Sequence, residues 1–224
     1  MTPTPTITMA DPLGRLREVQ ADAEQGVLEV LRSGRFIGGP VVGRAEQAAA
    51  RLFGVAGAVG VGNGTDALML ALSAVGVRRG HQVVVPALTF FATAGAVANL
   101  GAEPVVVDVL PDGCMDPAAA AAAITDRTAA VVPVHLYGSR AQLPDLGLPV
   151  VLDAAQAAGL PSQGPAPSLT AISCYPTKTW GAAGDAGFVL GDDEQALARV
   201  RALANHGLTG PHEHQSIHGL VGRN

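Results

Sequence analysis

Apolar positions along the chain follow two different spacings. Between residues 11 and 33, Leu13, Leu16, Val19, Ala23, Val27, Val30 and Leu31 recur at helical intervals, which predicts an amphipathic helix. Gly34 stops it, Gly38-Gly39-Pro40 makes a turn, and a second helix is predicted over 41–53. Beyond that, short apolar runs alternate with helical stretches. Strands are predicted at 58–61, 82–85, 104–107, 129–134, 150–152, 169–174 and 187–190. Helices are predicted at 65–75, 91–100, 117–124 and 194–204. Runs such as Val83-Val84-Val85 and Val131-Val132-Pro133-Val134 are apolar on both faces, as in parallel strands covered by helices on both sides. The expected fold is therefore α/β, a mostly parallel sheet sandwiched by helices. Residues 161–168 read as a Pro/Gly/Ser loop, and 207–224 has no clear periodicity.

Composition narrows the class. With 224 residues, 48% of them apolar and 15% charged, the chain can bury one sizeable core. A net charge of −5 without any basic run argues against nucleic acid as a partner. Cys114 and Cys174 make neither a disulfide framework nor a C-x-x-C metal site. The Thr/Pro-rich start has no basic residues followed by an apolar run, so no secretory signal is read there. No apolar stretch is long enough to predict a membrane span. A cytoplasmic location is the expectation.

Charge usage carries a sharper signal. There are thirteen arginines and one lysine, Lys178. Arginine stays protonated, whereas lysine can lose its proton and act as an amine nucleophile. On the count alone, an ordinary surface lysine explains Lys178 equally well.

In parallel sheets, ligands sit at the carboxyl ends of the strands. Gly62-Asn63-Gly64-Thr65-Asp66 joins a predicted strand to a helix and could cradle a phosphate on backbone N–H groups. A plain strand–helix turn is the alternative. A dinucleotide loop is disfavoured, because the third glycine of G-x-G-x-x-G would fall at Thr65. Asp153, at the tip of a buried strand, needs a cationic or hydrogen-bonding partner. A pyridinium nitrogen would serve, and so would the N-terminus of a following helix. Lys178 lies in a glycine-rich loop at the same predicted edge, with room for a ring. Phe90 either stacks on such a ring or belongs to the core. His212, His214 and His218 lack a helix or hairpin to hold metal spacing, so no metal is expected.

These segments also belong together. Residues 33–40, 60–68, 86–93, 133–138, 153–157, 173–187 and Asn205-His206-Gly207 stand in an order and spacing that resemble a known family. That family is the pyridoxal-phosphate-dependent nucleotide-sugar aminotransferases of the DegT/DnrJ/EryC1/StrS type. The resemblance implies the aspartate aminotransferase-like fold (fold type I) and pyridoxal 5′-phosphate as cofactor. It implies that Lys178 is the Schiff-base lysine and Asp153 the partner of the pyridine nitrogen. Gln156 would contact the ring hydroxyl oxygen, while Gly64, Thr65 and Ser173 would hold the phosphate. Phe90 takes the ring-stacking position. Asn224 would reach the phosphate in the other subunit, which implies a homodimer with shared active sites.

The implied reaction moves an amino group from glutamate onto a keto group of a nucleotide-linked sugar. The wording of residues 62–68 and 133–138 favours carbon 3 over carbon 4. Two departures stand out: Thr179 replaces a customary Asn, and the family's smaller C-terminal domain is absent from this chain. The expected organisation is thus an N-terminal helix and turn over 1–40 and a cofactor-binding large domain over 41–224. By itself that domain should be catalytically poor. A sugar dehydratase of the same fold would carry histidine in place of Lys178. A non-catalytic or regulatory remnant is the alternative from another class.

Overall fold

A computed structural model describes residues 10–142, 145–160 and 167–208. Helix α1 (Pro12–Ser33) begins where the Asp11 carboxylate accepts from the Gly14 N–H at 2.8 Å. Proline opens it, and Gly34, at φ 67°, closes it in the left-handed conformation that glycine adopts without penalty. Helix α2 (Pro40–Phe53) starts on Pro40 and ends at Gly54 in the same way.

The predicted boundaries of α1 hold, but most of its apolar face is uncovered, with Leu16 and Val30 only half-buried. No residue of α1 is buried, and Leu13, Val19, Val27 and Leu31 are each more than half exposed. Periodicity reports that a helix has an apolar face, not what that face meets.

Seven strands follow: β1 (Gly57–Val61), β2 (Gln82–Pro86), β3 (Glu103–Val107), β4 (Thr128–Val131), β5 (Val151–Asp153), β6 (Leu169–Ser173) and β7 (Gly187–Gly191). Two ladders run β1-β7-β6-β5 and β3-β2-β4. Parallel bridges Val131–Val150 and Val134–Asp153 join them into one sheet. The β4 ladder stops short of the predicted 129–134 because Pro133 has no N–H to donate. Its carbonyl still accepts from Asp153 N at 2.9 Å, and His135 N donates to Asp153 O at 2.9 Å. All pairings between these strands are parallel except those of β7, which runs against both β6 and β1.

Helices α3 (Gly64–Ala74), α4 (Ala92–Asn99), α5 (Pro117–Ala122) and α6 (Glu194–Leu203) complete the fold. Residues alternate between faces along β6. Leu169 and Ala171 join Ala67, Leu68, Leu72 and Val189 in the main core, while Ile172 joins Leu152, Leu190 and Ala49 on the other side. Every residue of α3 from Ala67 to Leu72 is buried, so this helix lies sandwiched rather than on the surface. The Glu46 carboxylate ties α2 to β1 and α6. It accepts from Gly60 N at 2.9 Å and from both terminal nitrogens of Arg201 at 3.1 Å. No described helix is long and apolar enough to cross a membrane.

Candidate active site

The ends of β1, β5 and β6 and the start of β7 converge at one sheet edge. Asn63 caps α3: its Oδ1 accepts from Asp66 N at 2.8 Å, and its Nδ2 donates to Asp66 Oδ2 at 2.9 Å. The first backbone bond of the helix runs from Ala67 N to Asn63 O. The N–H groups of Gly64 and Thr65 therefore stay available, at the positive end of the helix dipole. A Cβ on Gly64 would lie 2.7 Å from Ser173 Cβ and 3.1 Å from its Oγ. Only glycine lets the first turn of α3 close onto the end of β6. Gly187, paired with Ser173, meets the same limit: its Cβ would stand 2.7 Å from the Asn63 carbonyl oxygen. The Ser173 hydroxyl accepts from Tyr175 N at 3.3 Å and keeps its own proton to donate. Two backbone N–H groups and one hydroxyl proton thus gather at one point, a donor set that an anion could take.

Asp153 ends β5 and is 6% exposed. Its Oδ2 accepts from the Thr93 hydroxyl at 2.8 Å, and its Oδ1 accepts from Ala155 N at 3.1 Å. Thr93 is fully buried, with the Thr89 hydroxyl 2.7 Å away. No helix follows Asp153, so the helix-cap alternative fails. Burial pushes the Asp153 carboxyl above the usual carboxylate range; the Ala155 N–H, the Thr93 hydroxyl and the Lys178 charge pull it back. Among the described residues no cationic side chain reaches ion-pair distance of it. Such a carboxylate suits the protonated nitrogen of a bound ring. Thr93 belongs to this site although the sequence singled out only its segment.

Gln156 Oε1 accepts from Tyr137 N at 2.8 Å, which leaves its NH₂ to donate to an oxygen of a ligand. Tyr137 itself holds φ 51°, a left-handed backbone costing about 1–2 kcal/mol for a residue with a side chain. Phe90 is 69% exposed, so it is not core and is free to cover a flat ligand.

Lys178 sits in the loop from β6 to β7. Cys174 N donates to Ala186 O, and Ala182 N to Cys174 O, both at 2.8 Å, closing the base of that loop. Lys178 N donates to Tyr175 O at 2.8 Å. Gly181 is pressed against the Pro176 carbonyl, leaving no space for a Cβ. Trp180 anchors the loop edge-on to Phe53 and Phe188, at 5.6 and 6.0 Å between ring centres. From the far end of the sequence, Arg15 Nη1 donates to the Lys178 carbonyl at 2.8 Å. Burial pushes the Cys174 thiol up, in keeping with a small packed group rather than a nucleophile.

Asn224, His212, His214 and His218 lie outside the described residues. Among the described residues no group of three or more His, Cys, Asp or Glu could hold a metal. His135 is buried; its Nδ1 accepts from Ala141 N at 3.1 Å, so its Nε2 carries the proton, without a partner.

The strand order, the reversed β7 and the loop it anchors give the large-domain architecture of the fold type I pyridoxal-phosphate transferases. More narrowly, the chain belongs to the DegT/DnrJ/EryC1/StrS aminotransferase family, which matches residues 17–224. It is 38% identical over 213 residues to a pleiotropic regulatory protein of Geobacillus stearothermophilus, covering 90% of this chain and 57% of that one. It is 40% identical over 229 residues to the UDP-N-acetyl-3-dehydro-alpha-D-glucosamine 3-aminotransferase of Acidithiobacillus ferrooxidans, covering 97% and 62%. The crystal structure of DesV from S. venezuelae, in complex with a ketimine intermediate, superposes with a TM-score of 0.89 at 35% identity, covering 99% and 62%. The chain thus spans about three-fifths of the length of these relatives. The cofactor that goes with this family is pyridoxal 5′-phosphate. The cradle at Gly64, Thr65 and Ser173 and the buried Asp153 carboxylate fit its two polar ends.

Proposed function

We propose that this chain is the cofactor-carrying part of an aminotransferase. It moves an amino group from glutamate onto a keto group of a nucleotide-linked sugar, at carbon 3. The observation that supports this most is the placement of the sole lysine. It lies in the loop after β6, where its charge acts on the buried Asp153 at the end of β5.

Pyridoxal phosphate, when bound, supplies an aldehyde that carries the amino group and a ring that accepts electrons from the substrate carbon. The residues of the chain divide the remaining work. The Lys178 amine would hold the cofactor through its aldehyde carbon and, once displaced, would carry a proton from the substrate carbon bearing the amino group to that former aldehyde carbon. Asp153 keeps a proton on the ring nitrogen. Thr93, through its 2.8 Å bond, holds that carboxylate in place. The Gln156 amide donates to the ring oxygen. The N–H groups of Gly64 and Thr65 and the Ser173 hydroxyl hold the phosphate, and Phe90 lies over the ring. Asn224 serves the site of a second subunit, so the working unit is a homodimer. Carbon 3 is favoured by the wording of residues 62–68 and 133–138. The 3-aminotransferase from Acidithiobacillus ferrooxidans supports the same position.

Borohydride reduction of the cofactor-loaded protein, followed by peptide mapping, should place the label on Lys178. Single-turnover assays with glutamate and paired 3-keto and 4-keto nucleotide sugars should favour the 3-keto substrate. Asp153→Asn should fold yet lose transamination by orders of magnitude. A label elsewhere overturns the assignment of Lys178. Faster conversion of the 4-keto sugar overturns the assignment to carbon 3.

A further inference from the structure

We propose that Arg15 is a positioning residue for Lys178, and that α1 acts through it as a strut for the lysine loop. The inference rests on the role given above to Lys178. Helix α1 buries none of its residues, yet one of its side chains crosses 163 positions of sequence to donate to the Lys178 carbonyl at 2.8 Å. The N–H of Lys178 itself donates to Tyr175 O at 2.8 Å. Lys178 is thereby held at both of its peptide groups. Fixing the two peptide planes that flank a Cα fixes the direction of its Cα–Cβ bond. For lysine that direction matters more than for a short side chain, because a four-carbon stem magnifies any tilt.

A reacting group has to stay within about 0.5 Å and 10–20° of its productive geometry. A misplacement of about 1 Å can cost roughly 100-fold in rate. The other clamps of the loop, at Cys174, Ala182 and Trp180, hold its base and its far side, not the Lys178 carbonyl. A guanidinium is well suited to holding a carbonyl in this way, since it is always charged and its planar donors lose little freedom on bonding. Arg15 is solvent-exposed, so its replacement does not open the core.

The test compares wild type with Arg15→Ala and Arg15→Lys in the 224-residue chain. Hydrogen–deuterium exchange of the cofactor-free protein is read first. Arg15→Ala should exchange faster over residues 175–182 and at the wild-type rate in β2 and α3. In the loaded protein, the pH midpoint of the visible absorbance should be displaced, and borohydride trapping at Lys178 should slow. Trapping should slow about 10-fold or more, and Arg15→Lys should recover part of each change. Loop exchange and absorbance midpoint equal to wild type in Arg15→Ala would overturn the proposal. So would faster exchange throughout the molecule, which would reduce Arg15 to a general stabiliser. A wild-type label on some residue other than Lys178 defeats the functional reading separately, and the exchange data then still decide the strut.

Discussion

Asp153 is an anion that folding places in the interior before any cation arrives. Its raised pKa means that the folded chain holds a proton more tightly than the unfolded one. Between the ordinary carboxylate value, about 4, and the raised folded value, the folded state binds more protons, so stability falls as pH rises through that window. Urea midpoints of cofactor-free protein across this range should therefore decline, and Asp153→Asn should flatten the decline. A wild-type curve that rises there relative to the Asn variant would show that Asp153 gains a partner on folding. Thr93→Val keeps the shape but deletes the hydroxyl bond to Oδ2, worth about 1.5–3 kcal/mol for a charged acceptor. Cofactor affinity, followed by absorbance titration, should drop about tenfold or more; unchanged affinity would make that bond idle. At this scale the sequence marks candidates where the chemistry sits in one contiguous segment, as at Lys178, Asp153 and Gly64, which the structure places at the ends of β1, β5 and β6. Thr93 and Arg15 were not legible, because each acquires its meaning from a partner 60 or 163 positions away.

Among elements, the junction of α3 with β6 governs the proposed phosphate cradle. Gly64→Ala would force a methyl to within 2.7 Å of Ser173 Cβ, on a short side chain with nowhere to retreat. Overpacking of this kind costs about 1–3 kcal/mol. The variant should also lose its preference for pyridoxal phosphate over pyridoxal, because the N–H groups no longer face the anion. Competition between the two compounds, followed by absorbance, checks this; an intact preference would place the phosphate elsewhere. Helix and strand positions were readable to within a few residues, since Asp11, Gly34, Asn63 and Gly54 act on their own neighbours. The direction of β7 was not, because an apolar run such as Gly187–Gly191 looks the same in either orientation. The separation of β4 from the Val134 bridge turns on Pro133, whose missing donor the apolar pattern conceals.

For the molecule as a whole, α1 presents an apolar face that its own fold leaves mostly uncovered. Leu13, Val19, Val27, Leu28 and Leu31 on the helix, with Phe36 and Ile37 after it, are exposed large apolar residues close in sequence. Apolar surface gathered in this way marks an association face. With the homodimer proposed above, sedimentation should give twice the mass of one chain at micromolar concentration, and Val27→Glu should shift it towards the monomer. A monomer at every concentration would remove the shared-site scheme. The sheet has a consequence of another kind, in the order of events on the ribosome. Strand β1, made early, pairs among the described residues with β7 alone, Gly57 lying opposite Gly191. Until β7 emerges, β1 has no partner, and Gly64 has no Ser173 ladder to rest on. Vectorial synthesis thus leaves an early strand edge waiting for a late one, a long-range closure of the slow kind. The proposed phosphate cradle is among the last parts of the described chain to form, and on that reading a nascent polypeptide shorter than β7 would have nowhere to capture its cofactor.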